Sequence, residues 1–367
     1  MNHHVALTRR ALIQSFGAMS VAHCLPARAQ AADIQWHNPE EWGVEGKGWK
    51  DTERYYDRFP ARAKSSVPES VWGLSHHSAG MCVRFNTNSP SIRIRMDLLS
   101  PNLAIPHMPA TGVSGFDLYA RAGRGKWQWV HQAQPTAQHV EQELIRGLAP
   151  GMKEFVGYLP LYNGVNKLEI GVESGAQFSP IPPDRRKPIV FYGTSICQGA
   201  CASRPGIAYT AIVGRMLDEP VINLGFSGSG RMDSGVVDLL SELDPSIYVI
   251  DCLPNMDPAL VKERTEPLVN KLRAARPATP ILLVEDRTFA QAPLVPGIIK
   301  AHADRRGELR AAYVCLRDRG VGNLHYLKGY RLLGNDSEGT TDGSHPNDLG
   351  MMRYAEALRP ALASLLK

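Results

Sequence analysis

Ten residues divide this chain into two textures. Ser179-Pro-Ile-Pro-Pro-Asp-Arg-Arg-Lys-Pro188 carries repeated prolines and a knot of charge. Proline fixes φ and removes a backbone donor, so the stretch resists both helix and central strand and reads as a linker over 179–188. Before it, from 33 to 178, the period is two. Ser91–Leu98 alternates apolar and polar residues, Lys167–Glu173 does the same, and Glu154–Tyr162 is an apolar, aromatic strand candidate. Alternation puts one face in a core and one in water, which predicts a β-sandwich or jelly-roll-like domain. After it, over 189–367, short apolar runs alternate with helical stretches. Ile189–Tyr192, Val221–Leu224, Ile247–Ile250 and Ile281–Val284 suit strands buried on both faces, and Pro258–Arg276 suits a helix. Met351, Ala355, Leu358, Leu362 and Leu365 share one helical face, with Pro360 predicting a kink or a break. Such alternation implies an α/β domain: a parallel sheet flanked by helices on both sides.

The first 29 residues stand apart. Arg9 and Arg10 precede a modestly apolar stretch, and Ala27-Arg28-Ala29 offers small residues to a signal peptidase. Thr8-Arg9-Arg10-Ala11-Leu12-Ile13-Gln14 is similar to a twin-arginine signal; a Sec signal or an N-terminal helix is the alternative. Periplasmic or secreted localisation follows, and no later stretch is apolar enough to span a bilayer. The net charge of +5 is scattered over the 367 residues, which argues against a nucleic-acid surface. Beyond residue 29 stand Cys82, Cys197, Cys201, Cys252 and Cys315. Export permits disulfides and the odd count leaves one thiol over; bridges Cys197–Cys201 and Cys201–Cys252 are guesses. No second Cys pair stands at zinc-ligand spacing.

In an open parallel sheet, functional residues gather at the carboxyl ends of strands. The first strand ends in Gly193-Thr194-Ser195, where a hydroxyl can face a crevice or merely cap a helix. The second ends in Asn223-Leu-Gly-Phe-Ser-Gly228-Ser-Gly230, a loop whose glycines let N–H groups point outward. The third ends in Asp251-Cys-Leu-Pro-Asn255, whose amide can donate to an oxyanion or cap a helix. Before the last helix comes Asp342-Gly-Ser-His345, a spacing that can set a carboxylate against one imidazole nitrogen and leave the other as a base.

In that order and placement the four blocks resemble the SGNH (GDSL-like) hydrolases. The resemblance implies Ser195 as nucleophile, His345 as base and Asp342 as its orienting acid. It implies an oxyanion hole from the N–H groups of Ser195 and Gly228 and the Asn255 side chain. It also implies an SGNH/flavodoxin-like fold. Two departures mark a divergent branch: Gly-Thr-Ser replaces Gly-Asp-Ser, and Leu253-Pro254-Asn255 replaces Gly-x-Asn. Gly115-Phe-Asp117-Leu-Tyr119 resembles the Gly-x-Asp-Leu-Tyr signature of a branch with an N-terminal β-domain.

The expected activity is hydrolysis of carboxylic esters, with O-acetyl or other short acyl groups on carbohydrate as substrate and no metal or organic cofactor. The alternatives are a lipase, arylesterase or thioesterase for longer chains, acyl transfer to another sugar, or a non-catalytic glycan binder. The remaining features have two readings each. His76-His77 is a metal pair or, on a strand, two residues facing opposite ways. Glu285-Asp286 shapes the pocket or forms a salt bridge. Trp127 and Trp129 stack on sugar or fill the core. Arg204 binds a substrate anion or pairs with an acidic neighbour.

Overall fold

A computed structural model describes Met1 and residues 33–367, and three sheets organise the latter. The expected signal peptide falls, but for Met1, outside the described residues. The N-terminal half forms strands β1 (Ile34–His37), β2 (Cys82–Thr87), β3 (Ser91–Leu98), β4 (Asp117–Arg121), β5 (Gln128–Gln132), β6 (His139–Arg146), β7 (Lys153–Tyr158), β8 (Val165–Glu173) and β9 (Phe178–Ile181). Between them lie helices α1 (Glu69–Ser75) and α2 (Ala110–Val113). The strands build two antiparallel sheets, ordered β1-β8-β3-β6 and β5-β4-β7-β2-β9. The alternation in β3 buries Ile92, Ile94 and Met96, and these meet Phe85 of β2, Leu118 of β4 and Phe155 of β7 in one core. Two sheets sharing inward faces are the sandwich that the period predicts.

The C-terminal half alternates β10 (Ile189–Gly193), α3 (Ser195–Gln198), α4 (Tyr209–Leu217), β11 (Val221–Gly225), α5 (Ser234–Glu242), β12 (Ile247–Asp251), α6 (Pro258–Ala275), β13 (Ile281–Val284), α7 (Pro296–Asp318), β14 (Leu324–Leu327) and α8 (Asp348–Leu365). The five strands pair in parallel in the order β11-β10-β12-β13-β14. Successive residues of β10 serve different cores. Ile189 and Phe191 pack with α4 and α8, whereas Val190 and Tyr192 pack with α5, α6 and α7. Chain order leaves β10 in both directions, so its carboxyl end, between β11 and β12, is the topological switch point at which open α/β sheets place their sites.

Four expectations need correction. The proposed linker begins as strand: Phe178–Ile181 pairs with β2. It lies at the edge of its sheet, where the missing N–H of Pro180 needs no partner. The expected 33–178 domain does not keep its residues to one core. Trp49, Phe59, Val67, Val71 and Trp72 lack the two-residue period and pack under the parallel sheet with Phe226 and Val236. His76 and His77 follow α1 rather than lying on a strand. Helix α8 runs through Pro360 unbroken, its proline exposed on the outer side.

Candidate active site

The carboxyl end of β10 collects the four motif blocks. Thr194 caps α3, its hydroxyl accepting from the N–H of Ile196 at 3.3 Å, and Ser195 is the first helical residue. The Ser195 hydroxyl lies 2.9 Å from Nε2 of His345. His345 Nδ1 lies 2.7 Å from Oδ2 of Asp342. Oδ1 of Asp342 accepts from the N–H groups of His345 at 2.7 Å and Ser344 at 3.0 Å. Burial would push the Asp342 carboxyl up, but these N–H groups and the imidazole outweigh it and hold it at about 2. An ionised carboxylate only accepts, so Nδ1 carries the ring proton and Nε2 is left to accept from the serine.

A three-residue spacing closes this geometry because the loop is tied at both ends. Thr341 N–H donates to His345 O at 2.9 Å, and Asn347 caps α8 through Gly350 N–H at 3.0 Å. From the segment after β13, Arg287 Nε donates to Ser344 O at 3.0 Å, and its Nη2 bonds the Ser344 hydroxyl.

The loop after β11 faces the serine's strand. Gly225 packs so closely on α3 that a Cβ there would come within 2.1 Å of the Gln198 nitrogen. Gly228 has a φ of +69°, open space around it, and thus a conformational rather than a steric need for glycine. With the Asn255 amide assigned so that its oxygen faces this loop, that oxygen accepts from the N–H groups of Gly228, Ser229 and Gly230 at 3.2, 3.1 and 3.2 Å. That turns the Asn255 NH2 to the other side of the amide.

The N-terminal half supplies no member of these blocks but braces them. Arg58 is fully buried and donates to the carbonyls of Gly225 at 2.6 Å, Asn223 at 3.3 Å and Leu74 at 2.6 Å. Burial pulls its guanidinium down to about 10, which leaves it charged at neutral pH. Gln198 Oε1 accepts from Ser227 N–H at 3.0 Å, while its Nε2 donates to His77 Nδ1 and Leu161 O, each at 3.0 Å. Burial first, then the charges of Arg58 and His76, hold His77 at about 3, so it is neutral and accepts this bond. Tyr162 OH donates to Ser195 O at 3.4 Å. Arg58, Arg287 and Gln198 escape a motif search because each acts through backbone carbonyls or amides, and no residue spacing marks that.

The secondary candidates resolve structurally. Asp117 of the Gly-x-Asp-Leu-Tyr signature is fully buried and accepts from Arg204 Nη1 and Gly206 N–H at 2.8 Å each, and from Trp129 Nε1 at 2.9 Å. Arg204 therefore pairs with an acid, and Trp129 is exposed rather than core. Asp286 is buried among Arg287, His302 and Arg305. Cys82, Cys197, Cys201, Cys252 and Cys315 are all free thiols, so neither guessed bridge forms. Cys197 and Cys252 lie in the cores on opposite faces of the parallel sheet.

Residues 186–363 match the model of the GDSL-like lipase/acylhydrolase family, and residues 34–178 match that of the N-terminus of SGNH-hydrolase-type esterases. A crystal structure from Bacteroides ovatus described as a GDSL-like lipase superposes with a TM-score of 0.86 at 34% identity, over 91% of this chain and 98% of that one. The chain belongs to the GDSL-like lipase/acylhydrolase family, and it is an ester-hydrolysing enzyme of the SGNH type. Two remoter structures share the fold. A salicylyl-acyltransferase from a tetracycline biosynthetic pathway gives a TM-score of 0.70 at 21% identity, over 90% of this chain and 97% of that one. A family two carbohydrate esterase from Cellvibrio japonicus gives 0.58 at 12%, over 91% and 98%. No curated protein matches the sequence. Among the described residues no helix is long and apolar enough to cross a membrane.

Proposed function

We propose that this protein is an exported serine esterase that removes short acyl groups, O-acetyl foremost, from carbohydrate. Ser195 attacks the ester carbonyl while Nε2 of His345 takes its proton, and Asp342 steadies the imidazolium. The oxyanion is held by the N–H groups of Ser195 and Gly228 and by the Asn255 NH2. The Gly228 N–H shares the Asn255 oxygen at 3.2 Å, a long bond that a full negative charge outcompetes. His345 then protonates the leaving alcohol and activates the water that frees the acid. The observation that carries this reading is the unbroken line from Ser195 through His345 to Asp342. Carbohydrate esterases among the proteins of shared fold support the sugar ester, and Arg9-Arg10 with Ala27-Arg28-Ala29 supports export. The salicylyl-acyltransferase supports a second reading, in which an alcohol replaces water as acceptor.

The test is turnover of acetyl and long-chain nitrophenyl esters, then of acetylated oligosaccharide with and without an added alcohol. Acetate release that falls roughly 10^4–10^6-fold in Ser195→Ala is the expected result. A Ser195→Ala protein that keeps most of its activity overturns the assignment. Preference for the long chain moves the substrate to lipid, and acyl product on the added alcohol moves the reaction to transfer.

A further inference from the structure

Beside His345 stand two groups that ester cleavage does not use. His107 is exposed, on the loop between β3 and α2, and its ring centroid lies 5.7 Å from that of His345 at an interplanar angle of 30°. Its ring makes no hydrogen bond among the described residues. Cys201 lies just beyond α3, buried, with a φ of +66° that places its side chain from a backbone conformation few non-glycine residues adopt. One nitrogen of each histidine and the Cys201 sulfur lie within 4.8 Å of one another. Two imidazoles and a thiol are a donor set that suits zinc, leaving a fourth position for water. Tetrahedral zinc sets such ligand atoms about 3.3–3.8 Å apart, so a closure of about 1 Å completes the site. His107, exposed and unbonded, is the member able to move.

We propose that His107, Cys201 and His345 form an inhibitory site for a thiophilic divalent cation, Zn2+ being the type. The logic is one of valence. The His345 imidazole has two nitrogens, at Ser195 and at Asp342, and a metal must take one of them. Metal and triad therefore exclude each other. Binding forms a Zn–S bond and two Zn–N bonds, breaks the S–H bond, and sends the Cys201 proton to solvent; nothing is oxidised. The inhibition rests on the esterase reading above; the metal site does not.

Two readouts separate them. Co2+ added to the full chain should bind with a thiolate-to-cobalt charge-transfer band in the near ultraviolet, lost in Cys201→Ser. Zn2+ should inhibit ester turnover reversibly, with chelator restoring the rate. His107→Ala, a change at an exposed residue, should turn over ester as the unaltered protein does yet need roughly tenfold more Zn2+ or beyond for half inhibition. No thiolate band, or equal Zn2+ sensitivity in His107→Ala, overturns the site. A cobalt band in a protein that cleaves no ester leaves the site standing and sinks the esterase reading instead.

Discussion

Two Asp–His pairs in this chain share one bond and little else. Nδ1 meets a carboxylate at 2.7 Å in Asp342–His345 and at 2.8 Å in Asp286–His302. The difference lies in what surrounds that bond. Nε2 of His302 already accepts from the N–H of Phe289 at 3.2 Å, and its ring is buried. Among the described residues Nε2 of His345 bonds only the Ser195 hydroxyl, in a ring a quarter exposed. Asp286 also carries Arg287 and Arg305, whereas among the described residues Asp342 is shared, besides His345, with backbone N–H groups alone. For Asp286 burial would raise the carboxyl, but Arg287 and then the His302 bond bring it to about 2. An Asp–His pair can serve as a base where its second nitrogen is left over for a hydroxyl, which is the arrangement at His345. Buried against cations, the same pair becomes a rivet. Arg287 ties the two pairs together, reaching from Asp286 to Ser344 beside His345.

The largest test of this contrast is Asp342→Asn. It should lower kcat by roughly 10^3–10^4 through the wrong imidazole tautomer, with little change in Tm. Steady-state kinetics beside a thermal melt decides it, and an equal fall in Asp286→Asn would break the distinction. Next comes stability. Asp286→Asn leaves Arg287 and Arg305 without their countercharge and should cost about 3–5 kcal/mol in urea unfolding; a loss inside experimental error would mean the cluster is idle.

The smallest effect sharpens the role of cations. Asp251 is fully buried between the hydroxyls of Tyr209 at 2.8 Å and Tyr354 at 2.9 Å, with no cation bonded to it among the described residues. Burial raises its carboxyl to about 7, against the two tyrosine bonds that lower it. The folded value lies above the ordinary 3.8, so the native state holds the proton more tightly. Its stabilising contribution is full below 3.8 and is lost as pH rises to about 7. Asp251→Asn should flatten the fall in Tm across that window, and an unchanged slope would show that Asp251 does not cause it.

The parallel sheet was legible because its strands are apolar runs bounded by loops. The sandwich was legible in β3 and β8 because one face of each is wet. Ser195, Asp342, His345 and Asn255 stood out as motif blocks by residue type and spacing, and the fold brings Ser195, His345 and Asp342 into hydrogen-bonding contact. Residues 49–72 were not, because short turns obey no period and reveal their core only in three dimensions. Strand β14 hid in Leu324–Leu327, where only Leu324 is fully buried and His325 interrupts the apolar run. Helix α8 hid its continuity, since Pro360 reads as a breaker in sequence while the buried face of Met351, Tyr354, Ala355, Leu358 and Leu362 holds the helix through it.

Arg58 carries a consequence for inheritance. The charge that gathers the carbonyls of Asn223 and Gly225 is encoded 165 and 167 residues ahead of them. A recombination that exchanged the front half for another sandwich would keep Ser195, Asn255, Asp342 and His345 in full, yet turn two buried carbonyls toward an empty place. The halves of this enzyme can drift in sequence, but they have to travel together.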